Sequence, residues 1–107
     1  MTGAAIVTVY ATFADADEAD RIAGILIEER LAACANILGP CRAIYRWRGV
    51  VQRGDEVAAL FKTRADMAAD LIARLCELHS YEVPAAVVWP IAETLPAYAE
   101  WVRDETG

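Results

Sequence analysis

The chain has 107 residues, and 57% of them are hydrophobic, against roughly 45–50% in ordinary globular domains. Its formal net charge is −6, and Lys62 is its only lysine, which excludes the clustered cationic face that phosphate binding demands. A domain this small can bury a core without disulfides, but not this much apolar surface, so the composition predicts an obligate oligomer.

Ile6–Phe13, rich in β-branched and aromatic residues, predicts a buried first strand. Asp15 or Asp17 offers an N-cap to a first helix in which Ala19, Ile22, Ala23 and Leu26 recur at helical spacing, ending near Leu31. Ala33–Leu38 predicts a second strand, and Gly39-Pro40 interrupts it with a bulge or bend at a sheet edge, because proline cannot donate to a ladder. Ala43–Trp47 continues extended. Glu56–Thr63 returns after the turn residues Arg53-Gly54-Asp55, giving a long hairpin. From Ala65 a helix carries the stripe Ala68, Leu71, Ile72, Leu75 and Leu78. A last strand, Ala86–Trp89, precedes a short helix opened by Pro96 and bearing Tyr98 and Trp101.

The order β-α-β-β-α-β plus a short helix predicts an α+β, ferredoxin-like split βαβ domain spanning residues 1–107. Both helices then lie on one sheet face, leaving the other face and the hairpin as the oligomer surface. The three cysteines, without CxxC spacing, predict free thiols in a reducing compartment. No basic n-region opens the chain and no apolar run is long enough to cross a bilayer, so the expected location is the cytoplasm, without membrane or nucleic-acid partners.

His79 is the only histidine and opens His79-Ser80-Tyr81-Glu82-Val83-Pro84, where a helical pattern becomes a strand. Imidazole is a ready metal ligand or proton carrier near neutral pH, so chemistry is expected at this segment. Cys76, three residues earlier, offers a chelating pair with His79 or simple packing at the border of the core stripe. Cys34 with His79 forms a soft donor pair suited to monovalent copper if the fold joins them. Lys62 is either an anion ligand or a snorkelling strand end. The GxSxG, HExxH, P-loop and GxGxxG signatures are absent, so a non-enzymatic protein is expected.

Taken together, Glu29–Ile37, Tyr45–Gly49, Glu56, Lys62-Thr63, His79–Pro84 and Tyr98–Trp101 resemble the CutA family, the divalent-cation tolerance proteins. The resemblance covers nearly the whole chain and implies a ferredoxin-like subunit in a tight homotrimer, similar in architecture to the PII signalling proteins. It also implies copper binding and a response to metal ions. Cys34 matches the family's cysteine after a double alanine, and His79 matches the histidine of its His-Pro-Tyr-Glu-Val-Pro stretch. Ser80 stands where the family usually has proline. Ala11 and Leu78 stand where some members place a further cysteine and histidine. A second reading is a PII-like regulator binding a small anionic metabolite where Glu56, Lys62, His79, Tyr81, Glu82 and Trp101 converge between subunits. A third is a ligand-free scaffold.

Overall fold

The computed structural model describes residues 4–107. Eight elements follow in chain order: β1 (Ile6–Phe13), α1 (Ala16–Glu28), β2 (Cys34–Trp47), β3 (Val50–Arg64), a 3-10 turn (Ala65–Met67), α2 (Ala68–Leu78), β4 (Ala86–Pro90) and α3 (Pro96–Asp104). The four strands form one sheet in the order β2-β3-β1-β4, with every neighbouring pair antiparallel. This is the ferredoxin-like arrangement that the element order predicts.

Alternation along β1 sorts the two faces. Val9, Ala11 and Phe13 join Phe61 and the apolar stripes of α1 and α2 (Ile22, Leu26, Leu71, Leu75) in the main core. Thr8, Tyr10 and Thr12 point to the opposite face, where α3 adds cover at one end through a smaller cluster of Ile6, Ala33 and Val102. Asp15 is the N-cap of α1, accepting the Glu18 amide at 2.8 Å.

The first helix stops at Glu28 rather than Leu31 because Arg30 enters the left-handed region at φ 62°. Its amide donates to the Ile27 carbonyl at 3.0 Å and the Leu31 amide to that of Leu26 at 2.9 Å, which makes a Schellman stop with arginine in the usual glycine position. The strained residue is held from outside. Its Nε donates to the Gly107 carbonyl at 2.9 Å and its Nη2 to that of Asp104 at 2.6 Å.

The hairpin corrects one expectation. Arg53-Gly54-Asp55 is not its turn but runs straight inside β3, and the chain reverses at Arg48-Gly49, with φ values of 51° and 83°. Positive φ at both central residues is what a two-residue turn requires to match strand twist. Arg48 accepts it with its guanidinium 5.3 Å from the centre of the Trp47 ring, while Arg46 donates to the Gly49 carbonyl at 3.0 Å. The break expected at Gly39-Pro40 is a bulge between Ile37 and Gly39 on the edge strand, and β2 continues beyond it to Trp47.

Because β1 pairs with β3 only up to Val57, residues 50–56 of β3 have β2 as their sole partner. The hairpin is therefore a free arm roughly 20 Å long. Both of its faces carry exposed apolar side chains. Ile44 is 58% exposed on one face and Val50 58% exposed on the other.

Candidate functional site

The His79 ring is fully buried at the end of α2 and stacks on Phe13 with 5.1 Å between centroids. Nδ1 lies 3.0 Å from the Tyr81 amide, which can only donate, so Nδ1 accepts and the proton sits on Nε2. Nε2–H then donates to the Thr12 carbonyl at 2.8 Å. Both ring nitrogens are thus committed, and the imidazole is neutral and fixed in one tautomer.

Beside it lies a residue whose role the sequence did not disclose. Glu18, 8% exposed, accepts the Ala14 amide on Oε1 at 3.0 Å and the Ser80 amide on Oε2 at 2.9 Å. Burial pushes its carboxyl upward, but the hydrogen bonds from Ser80 and Ala14 outweigh this and hold it below its ordinary 4.5. The carboxylate ties the start of α1 to the segment after α2. Because residue 80 is a serine and not a proline, it has an N–H to give, and it gives it to Glu18.

Past Ser80 the chain runs along the open sheet face and closes a cleft of 740 Å³ against the base of the arm. Glu56, Tyr81 and Glu82 line it together, as does Cys41, which is paired directly across from Glu56. Burial, then a hydrogen bond to the Glu56 carboxylate and the charges of Glu56 and Glu18, raise the Tyr81 phenol far above its ordinary 10. It stays protonated at any physiological pH. Glu82 is exposed and pairs with Arg48 at 2.8 Å.

Within one subunit Lys62 and Trp101 lie apart from this group. Lys62 sits six positions along β3 from Glu56, roughly 20 Å away, directly across from Cys34 and Thr8. There the Cys34 thiol meets the Tyr98 hydroxyl at 3.4 Å, and Tyr98 lies 5.8 Å from Trp101 between ring centroids. Burial, then the Cys34 contact, pushes the Tyr98 phenol up to about 12.

Within one subunit the expected pairing of Cys34 with His79 is therefore absent. The two residues lie at opposite ends of the sheet, four strand positions or roughly 13 Å apart along it, and on different faces. Cys76, exposed on α2, does not join the buried His79 either. Among the described residues no cluster of three or more His, Cys, Asp or Glu is placed to hold a metal ion.

A ferredoxin-like sheet with a long two-stranded arm, a buried histidine at the end of α2 and a thiol opening the second strand defines a small, arm-bearing α+β protein class. Residues 7–105 match the family model described as CutA1 divalent ion tolerance protein. A divalent-cation tolerance protein CutA from Pyrococcus horikoshii is 40% identical over 101 residues, covering 94% of this chain and 98% of the relative. The Thermus thermophilus protein of the same name is 42% identical over 99 residues, covering 92% and 96%. Among solved structures, CutA1 from Oryza sativa superposes with a TM-score of 0.95 at 33% identity, covering 100% of this chain and 98% of that one. The chain belongs to the CutA1 divalent ion tolerance family.

Proposed function

We propose that this protein is a homotrimeric, non-enzymatic component of divalent-cation tolerance that binds copper through Cys34. The observation that carries the metal reading is the half-buried Cys34 thiol, held against Tyr98 on the open sheet face of a chain that belongs to this family. A thiolate favours monovalent copper over the hard ions, which prefer oxygen. One subunit supplies too few donors to close a coordination sphere, so the remaining ligands come from a neighbouring subunit. His79 joins them only by exchanging its Tyr81 hydrogen bond at Nδ1 for the metal. Three free thiols favour a reducing compartment, and we place the protein in the cytoplasm. The rice relative is named chloroplastic, so the location is a proposal for this chain alone.

The test is a competition titration with a copper chelator under reducing conditions. Cys34→Ala is expected to weaken copper binding by at least about tenfold, and His79→Ala to weaken it less. Unchanged affinity in both variants rejects these ligands and makes the link to metal tolerance indirect.

Assembly is supported by the arm, since a two-stranded ribbon exposed on both faces is marginal in water. Light scattering is expected to give three times the 11.7 kDa chain mass at micromolar concentration. Trp47→Ala, at the arm's tip, is expected to weaken assembly by about 2 kcal/mol, the scale of an interface anchor. A parent mass of one chain, or an unchanged dissociation midpoint in the variant, rejects the arm as an intersubunit element.

A further inference from the structure

We propose that α3 is the positioning element of the Cys34 thiol, with Tyr98 orienting the sulfur and with Arg30 and Arg64 as the clamp that keeps the helix in place. Its effect on metal rests on the copper reading, whereas its geometry consists of contacts within one chain.

Alone, α3 is too short to persist. It has 9 residues, where an isolated helix needs roughly 12–15. No side-chain cap closes its start at Leu95, and of its residues Val102 alone is buried. The far end is fastened instead. Arg30 Nη2 donates to the Asp104 carbonyl at 2.6 Å and Nε to that of Gly107 at 2.9 Å, while the Gly107 amide donates back to the Arg30 carbonyl at 3.0 Å. Arg64 Nη1 donates to the Thr106 carbonyl at 3.2 Å. The last carbonyls of a helix lack partners within it and carry the negative end of its dipole, so a guanidinium suits them twice over. Thr106 is buried between these bonds, and its hydroxyl donates to the Val102 carbonyl at 2.8 Å.

Both arginines are rooted beside Cys34. Arg30 shortly precedes it in the chain, and Arg64 follows Lys62, the residue paired with Cys34 across the ladder. The segment between Arg30 and Cys34 is tied to the same strand, since the Thr63 hydroxyl donates to the Leu31 carbonyl and the Ala33 amide to that of Lys62, each at 2.8 Å. Clamp, strand and thiol form one frame. On it α3 sets the Tyr98 hydroxyl 3.4 Å from the Cys34 sulfur. A phenol O–H can donate to a thiolate and fix its orientation, and groups that orient a metal ligand in this way are typically worth about 10–100-fold in affinity. The arginine at position 30 points the same way. Its φ of 62° favours glycine, but glycine has no side chain to reach α3.

The experiment compares the parent with Arg30→Gly, Tyr98→Phe and Cys34→Ala as intact assemblies, by amide hydrogen exchange and by competition for monovalent copper with a chelator under reducing conditions. Arg30→Gly keeps the backbone turn, because a left-handed φ favours glycine, and removes only the clamp. It is expected to speed exchange of the Trp101–Glu105 amides by about tenfold, with α2 unchanged, and to weaken copper binding by about tenfold. Tyr98→Phe is expected to weaken copper binding to a similar degree while α3 exchanges as in the parent, a split that loss of structure alone does not produce. Parental exchange of α3 in Arg30→Gly overturns the clamp. Weakened copper binding in Cys34→Ala with parental affinity in Tyr98→Phe overturns the positioning role and leaves the copper reading standing. Parental affinity in Cys34→Ala overturns both together.

Discussion

Replacing Phe61 with alanine is expected to lower stability by about 3–5 kcal/mol, the scale for a large aromatic removed from a core. Phe61 is fully buried on the central strand β3, and its ring meets Phe13 edge-on at 6.3 Å between centroids. On one side it pairs with Val9 and on the other with Ala35, so the strand holds it in place while the helices cannot readily close over the void. A loss of that size is a large share of the roughly 5–15 kcal/mol that holds a typical domain folded. The measurement is urea unfolding at one fixed protein concentration, because assembly also contributes to the apparent midpoint. A midpoint shift worth less than about 1 kcal/mol would mean that Leu71, Leu75 and Leu26 collapse into the space.

Local pattern carried most of the fold into the sequence. β-Branched and aromatic composition marks β1, period-3.6 repeats mark α1 and α2, and Pro96 marks the start of α3 because a proline at the first helical position costs no hydrogen bond. The hairpin turn was hidden by chemistry that misleads. Arg53-Gly54-Asp55 has turn composition yet lies in a strand, while the real turn at Arg48-Gly49 uses an arginine at positive φ that no propensity favours. The candidate site was legible as a set of residues but not as an arrangement. Which of Glu56 and Lys62 stands beside Tyr81 depends on how β3 registers against β1 and β2, and that register shifts at the bulge near Leu38. In the sequence Glu18 is one more first-turn carboxylate of α1, because the partner that explains its burial, Ser80, is 62 positions away.

That carboxylate sets the second large effect. Glu18→Gln is expected to destabilise the protein by about 1–3 kcal/mol at pH 7, because two amides converge on it and an amide side chain offers one acceptor oxygen. The Gln nitrogen must then face the N–H of Ala14 or Ser80, donor against donor, with little water to relieve it. The sign of the pH dependence follows from the depressed folded pKa. The parent's extra stability from the ionised group is fully present above the unfolded value near 4.5 and is lost as pH falls through the lower folded value. Once protonated, Glu18 resembles Gln, with one acceptor oxygen and one donor. The stability gap between parent and variant should therefore be widest near neutral pH and narrow toward about pH 3. Urea unfolding of both proteins across this range decides the matter. A gap that stays constant with pH would show that the loss comes from packing around α1 rather than from the charge that joins Ala14 to Ser80.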